Sequence, residues 1–260
     1  MKTKKKMISI IMTIYNHDKF LLKSIKSIIN QSLKNWELIA FENGSKDKSA
    51  TILKSLKDRR IKKFFLKNNI GRTACLNLAL KKCKGEYIAI LDSDDYADKR
   101  RLKTQFDFLE RNKDIWLAGS WYKLVDEKDK IKKVFAYSGN LMKKPRIMLF
   151  KNLIGHSTVM FKKKLTKKIG NYQKKLKYAQ DYGFLLRALR KSQITIIPEF
   201  LTTCREPHQE SETFRVLNTK TIDLERKYLL KWCMHYMKTN FVEKIIILFL
   251  LGLKNIKLLK

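Results

Sequence analysis

"EYIAILDSDDYADKRRL", residues 86–102, decides how the rest of the chain is read. Apolar and aromatic residues from Tyr87 to Leu91 run straight into the carboxylates Asp92, Asp94 and Asp95. A short continuous apolar run that stops in acids reads as a buried strand whose carboxyl end meets something polar. The contrast is sharp because the chain carries 58 Lys and Arg against 24 Asp and Glu, a formal net charge of +34.

Working outward, strand and helix alternate. "MISIIMTIY" (7–15) is an apolar, β-branched run of the kind that buried parallel strands show. In "HDKFLLKSIKSIINQS", Phe20, Leu21, Ser24, Ile25, Ile28 and Ile29 share one helical stripe. "WELIAF" (36–41) is a second strand, closed by the turn-rich "ENGSKDKS", and a helix follows over about 48–57. "IKKFFL" (61–66) is a third strand, and "GRTACLNLALKKCKG" reads as a helix with Gly85 as its C-cap. Strands and helices alternating through short links specify an α/β fold: a doubly wound, mostly parallel sheet with helices on both faces.

After Asp95 the pattern changes. A helix is expected over 98–112, then strands in "IWLAGSWYKLVDEKDKIKKVFAY" with a hairpin turning at "DEKD". A helix over 142–150, a strand at "STVMF", a helix at about 180–191 and two short strands around Pro198 complete a smaller antiparallel portion. From about 211 the chain reads as helical. No repeat or low-complexity linker divides it, so one compact domain is expected.

Composition narrows the class. With 44% apolar and 11% aromatic residues in 260, wholesale disorder is excluded. Cys75, Cys83, Cys204 and Cys233 are scattered without a CxxC pair, which points to reduced thiols in a cytosolic setting and away from a disulfide frame or zinc site. "MKTKKKMISIIMTIYN" places lysines before an apolar run, but no small-residue cleavage site follows, so it reads as a basic tail and the first strand. The lysines are spread through every segment, which suits an anionic membrane surface or reflects a compositional habit. Nucleic acid is not an expected partner, because the aromatics read as core and no nucleic-acid motif occurs.

In open α/β sheets, ligands bind beyond the carboxyl ends of the strands. Here those ends read "TIYN", "ENGS" and "DSDD", which puts three polar loops on one edge. Asp92 and Asp94, spaced D-x-D, project into shared space, and a hard cation relieves their repulsion. Magnesium or manganese suits such a place, since it takes one or two protein carboxylates and substrate phosphates as its other ligands. Asp95 and Asp98 stand where acids favour a helix N-terminus.

The series "ISIIMTIYNHDKFLLKSIKSIINQSLKNWELIAFENGSKDKS" followed by "NNIGRTACLNLALKKCKGEYIAILDSDD" resembles the family-2 glycosyltransferases of the GT-A fold. The resemblance is strong over about 7–110 and looser to about 210. It implies an inverting enzyme that transfers a sugar, of hexosyl type, from a nucleotide-sugar donor to a glycan or lipid-linked acceptor. By the same resemblance Thr13 and Tyr15 contact the nucleoside, and Thr13 stands where a proline is usual. Glu42 takes the place of an acid that contacts the base, in "ENGS" where many members read D-D-G-S. Arg72 is placed to meet a phosphate or base, or is a solvated arginine at a helix start. Asp92 lies on the nucleoside side, and Asp94 is the principal ligand of Mn2+ or Mg2+. In the family an E-D pair supplies the base; here Gln180-Asp181 makes Asp181 the candidate, with Leu185 and Leu186 buried behind it. His156, in "GHSTVMF", resembles an acceptor-side element, and Arg205 and His208 resemble an R-x-H loop, one residue longer, that ligates metal or closes over the diphosphate. His17 and His235 have no site argument.

The expected organisation is a GT-A domain over 1–210, with a nucleotide-sugar-binding half (1–112) and an acceptor-side half (113–210), then a helical extension over 211–260. "FVEKIIILFLLGLKNIKLLK" is too short in apolar residues to span a bilayer and suits either a basic helix lying at a membrane surface or a cover for the core. The implied setting is cell-surface glycan assembly, of lipopolysaccharide or capsule, on the cytoplasmic face. Two rivals stay open. A nucleotidyltransferase would show a glycine-rich loop after the first strand, and a non-catalytic polyanion-binding protein would not need Asp94 or Asp181.

Overall fold

A computed structural model describes residues 6–137, 145–150, 152–206, 220–237 and 239–251. Strand β1 (Ile8–Ile14) is buried almost throughout, as a strand covered on both faces must be. It is followed by α1 (Asp18–Ile29), β2 (Trp36–Asn43), α2 (Ser49–Ser55), β3 (Ile61–Leu66), α3 (Arg72–Lys82) and β4 (Tyr87–Ile90). β2 and β4 both run parallel to β1, on opposite sides of it, and β3 forms the edge beyond β2. The strand order therefore reverses between β1 and β4. The loops leaving these two strands diverge there and open a crevice at the carboxyl edge.

The remaining elements are β5 (Tyr96–Ala97), α4 (Arg101–Arg111), β6 (Ile115–Val125), β7 (Ile131–Phe135), β8 (Met160–Lys162), α5 (Lys164–Ile169), α6 (Gln180–Lys191) and β9 (Gln193–Arg205). Two helices close the described chain, α7 (Lys220–Tyr236) and α8 (Phe241–Leu250). The nine strands among the described residues join one sheet in the order β3-β2-β1-β4-β8-β6-β9-β5, with β7 paired to β6. Its second half is mixed: β4–β8, β6–β8, β6–β7 and β5–β9 pair antiparallel, and β6–β9 pair parallel.

Alternation along β1 divides the core. Ile11 faces α3, α5 and α6 through Leu76, Leu165 and Phe184. Ile10, Met12 and Ile14 face α1, α2 and α4 through Ile25, Leu53 and Leu102. A third cluster seats α7 and α8 against α6, with Leu229, Leu230 and Ile247 packed on Leu176 and Leu186. All four cysteines are buried, Cys75, Cys83 and Cys233 within these layers, where burial pushes their thiols up to about 12.

Three local expectations are corrected. Gly85 is not a helix cap: α3 ends at Lys82, and a Cβ at Gly85 would stand 2.6 Å from both Met7 O and Ser9 N. Glycine is needed there because β1 passes against it. Pro198 does not separate two strands; β9 runs through it, and the pairing with β6 shifts register between Ser120 and Trp121 to absorb it. The helix expected over 142–150 is a 3-10 turn, Pro145–Leu149, within the described residues.

Candidate active site

The crevice is built by loops that fasten one another. Asn16, at a left-handed φ of 54°, accepts from the Lys46 amide through its side chain, and its own amide donates to Ser45 Oγ. The amides of His17 and Asp18 donate to Ser49 Oγ and Asp47 Oδ2 across the same gap. Thr13 and Tyr15 are thus half-buried at the head of a loop that the β2 loop holds in place. Glu42 is buried, and its carboxylate accepts from the Ser45 amide at 2.6 Å and the Gly44 amide at 3.3 Å. Gly44 sits at φ +72°, where an added Cβ would stand 2.6 Å from Asn68 C.

From β2 the fastening passes to α3. Asn43 Nδ2 donates to Asn69 Oδ1 at 2.9 Å, and Asn43 Oδ1 accepts from the Ile70 amide. This sets Gly71, at φ +83°, and then Arg72 at the first position of α3. One guanidinium nitrogen of Arg72 lies 2.6 Å from both oxygens of Asp92 and 2.9 Å from His156 Nδ1. An arginine only donates, so His156 Nδ1 is the acceptor and its proton is assigned to Nε2, 3.0 Å from Tyr172 Oη. Burial works against both charges of the pair. The Arg72 guanidinium outweighs it at Asp92 and holds that carboxyl well below its ordinary 3.8. At Arg72, Asp92, Asp181 and Asp94 together outweigh burial and raise the guanidinium pKa.

The acids of the opening stretch have three different surroundings. Asp92 is an ion-pair partner. Asp94 has a side chain 15% exposed, with Oδ2 3.9 Å from His17 Nε2. Asp95 is buried and accepts from the Arg205 amide at 2.7 Å; burial first, then Asp94 and Asp92, push its pKa well above the ordinary value. It therefore fastens the end of β9 and does not start α4. Asp98 lies in the turn before α4, with Oδ1 accepting from the Arg100 amide at 2.8 Å and its carbonyl from the Arg101 amide at 3.0 Å.

Asp181 lies in the first turn of α6, with Oδ2 accepting from Asn152 Nδ2 at 3.1 Å. Arg205 is nearly enclosed: it stacks 4.1 Å over the Phe20 ring and pairs with Asp129 at 3.0 Å. His208 lies outside the described residues.

In the candidate site Arg72 pairs with Asp92, Asp94 and Asp181 are near enough to act on its charge, and Thr13, Tyr15 and Glu42 stand at or just beyond the ends of β1 and β2. Sequence reasoning missed four of its supports: His17, Ser93, Asn152 and Tyr172. Ser93 Oγ donates to the Thr13 carbonyl at 3.1 Å and lies 2.7 Å from His17 Nδ1, so it ties β4 to β1 and sets the ring that faces Asp94. Only the D-S-D spacing hinted at Ser93; nothing local marked Asn152 or Tyr172.

The donor chemistry fits a hard divalent cation. Among the described residues no three His, Cys, Asp or Glu side chains converge. Of the two D-x-D carboxylates, Arg72 pairs with Asp92, and Asp94 is the one suited to meet a cation, since magnesium and manganese use one or two protein carboxylates when substrate phosphates complete their shell.

A profile for glycosyl transferase family 2 matches residues 9–170. An uncharacterized glycosyltransferase of Methanocaldococcus jannaschii is 35% identical over 261 residues, covering 95% of this chain and 89% of the relative. The Escherichia coli O-antigen biosynthesis glycosyltransferase WbnJ is 36% identical over 191 residues, 71% of this chain and 72% of WbnJ. Among solved structures, S. aureus TarS 1-349 with UDP-GlcNAc superposes with a TM-score of 0.66 at 19% identity, over 95% of this chain and 80% of that one. The mannosyltransferase PcManGT from Pyrobaculum calidifontis, with GDP-Man and Mn2+, gives 0.65 at 13% identity, over 95% and 69%. The fold is thus the GT-A fold these structures share.

Proposed function

The chain belongs to glycosyl transferase family 2 and is a glycosyltransferase, and from that premise we propose that it moves a sugar from a UDP-sugar to a hydroxyl of a cell-surface glycan or lipid-linked acceptor, with inversion at the anomeric carbon. One observation carries the reading: beyond the carboxyl ends of the parallel strands, Arg72 at the start of α3 pairs with Asp92 of the D-x-D stretch, both within the span that the family profile matches. TarS with UDP-GlcNAc supports the donor class, PcManGT with Mn2+ supports a divalent ion, and WbnJ supports a surface-glycan setting.

Thr13, Tyr15 and Glu42 line the nucleoside end, with Glu42 acting through the amides of the Gly44–Ser45 turn that it orders. Arg72 and Asp92 form the wall beside the diphosphate. Asp94 would hold Mn2+ or Mg2+, and the ion would supply Lewis-acid stabilisation of the charge on the departing nucleoside diphosphate. Asn152 holds one oxygen of Asp181, and the other takes the acceptor proton as the new oxygen–carbon bond forms. The electron pair of the broken anomeric carbon–oxygen bond leaves with the nucleotide. His208 is kept as a second proposed metal ligand.

The organisation proposed is a GT-A domain to about 210 with a helical extension beyond it. That extension is proposed to meet an anionic membrane surface on the cytoplasmic side. Val242, Ile246 and Phe249 lie at helical spacing on α8 and are exposed by 61%, 39% and 82%. No described helix is long and apolar enough to cross a membrane. Co-sedimentation with phosphatidylglycerol vesicles, weakened in Phe249→Glu and absent with phosphatidylcholine, is the expected result.

The test of the enzyme reading is a panel of UDP- and GDP-sugars, read by binding and by nucleotide release with Mn2+ and with chelator. A UDP-sugar should bind and turn over only with the metal. Binding indifferent to the chelator would remove the metal, and nucleotidyl transfer without sugar transfer would favour the rival enzyme.

A further inference from the structure

The base-bearing end of α6 is not held by the sheet. The Ala179 N-cap has no side-chain cap of its own. Instead Glu225, from the middle of α7, brings a buried carboxylate against the incoming chain: Oε1 accepts from the Lys177 amide at 2.6 Å, and Oε2 from Tyr178 at 3.0 Å and Ala179 at 2.8 Å. These amides immediately precede Asp181, and a carboxylate at a helix N-terminus also meets the positive end of the helix dipole.

Two further contacts fix the same segment. Thr73, next to Arg72 on α3, donates to the Leu176 carbonyl at 2.6 Å. Gly183, on the turn after Asp181, leaves no room for a side chain: a Cβ there would stand 2.4 Å from Leu176 Cδ1 and 3.3 Å from Leu229 Cδ2 of α7. Residues 176–183 are thus clamped between α3, which carries Arg72, and α7, which carries Glu225. The clamp sets how Asp181 faces Arg72.

We propose that Glu225 is a positioning residue for transfer, so that the C-terminal helix α7 belongs to the catalytic unit and is more than an appendage. The inference rests on the reading of Asp181 as base. Glu225 touches no substrate; it fixes the backbone from which Asp181 reaches the acceptor hydroxyl. A carboxylate suits the task because it offers lone pairs to three amides at once and carries no proton to clash with them. Glutamine keeps the shape but turns one oxygen into a donor facing N–H groups.

The experiment uses the full chain, with thermal unfolding as a check of folding, and compares wild type, Glu225→Gln, Glu225→Ala and Asp181→Asn. The probe is the UDP-sugar that wild type turns over fastest, followed by nucleotide release. Misplacing the base lowers kcat for Glu225→Ala by roughly 10- to 100-fold, with KM for the donor within about twofold, and Glu225→Gln falls between. Amide exchange at Lys177–Ala179 speeds up in Glu225→Gln relative to the rest of α6. Wild-type kcat in Glu225→Ala alongside a dead Asp181→Asn overturns the positioning role, as does unchanged exchange at these amides. Full turnover in Asp181→Asn is a separate failure: it removes the base, and the inference with it.

Discussion

At the strand-end crevice, polar side chains are fastened by loops that sit beside each other in the sheet. Glu42 holds the amides two and three residues on, and Asn16 and Ser45 lace the β1 and β2 loops together. Around α6 the fastening arrives from distant sequence: Thr73 to Leu176, Asn152 to Asp181, and Glu225 to Lys177 through Ala179. The first region depends on one parallel sheet with a reversed strand order. The second depends on the docking of helices at either end of the chain. Donor binding and transfer should therefore be separable by substitution, since each is supported by different parts of the structure.

Arg72 is the contact between the two regions, and losing it should have the largest effect. Arg72→Met leaves Asp92 partly buried and unpaired, so stability should fall by about 1–3 kcal/mol, together with donor affinity. Adding Asp92→Asn should restore most of the stability and none of the turnover; a double variant as unstable as the single one would break the pairing argument. A smaller loss is expected from Gly44→Ala, where a left-handed φ meets backbone of the β3–α3 loop. About 1–2 kcal/mol of stability and a weaker donor KM are expected, with the ratio of kcat to wild type nearly kept. A fall in kcat with KM unchanged would mean that the two regions are not separate.

The smallest effect is in acid. The Asp92 pKa is depressed in the folded state, so its contribution to stability is full above 3.8 and is lost as pH falls through the lowered value. Denaturant titrations from pH 5 downward should show a steeper loss for wild type than for Asp92→Asn. Parallel slopes would contradict the ion pair. With its pKa lowered, Asp92 is not expected to supply the acid limb of a rate profile.

This contrast also decides what could be read from the residues alone. Parallel strands buried on both faces leave continuous apolar runs, and their ends leave polar clusters. β1 to β4, the α1 stripe and the roles of Asp92, Asp94 and Asp181 were therefore expected from the sequence, the roles by family resemblance. The structure separates acids that a linear motif merges. Asp95, adjacent to Asp94, is buried and holds β9, because the turn closed by the Asp95 amide on the Asp92 carbonyl gives the two side chains different surroundings. Asn152, Tyr172 and Glu225 were illegible because their partners lie in other elements, and single polar residues in loops or on a helix carry no periodic signal. Pro198 misled because a proline inside a strand usually ends it, whereas here a register shift accommodates it.

The division of labour between Asp94 and Asp181 is tested most directly by donor affinity and transfer measured on the same preparations. Isothermal titration of the UDP-sugar with Mn2+, paired with turnover, should show Asp94→Asn losing metal-dependent binding and Asp181→Asn binding as wild type does. In Asp181→Asn turnover should fall by roughly 10²- to 10⁴-fold. Wild-type turnover in Asp181→Asn, or metal-dependent binding intact in Asp94→Asn, would contradict the account.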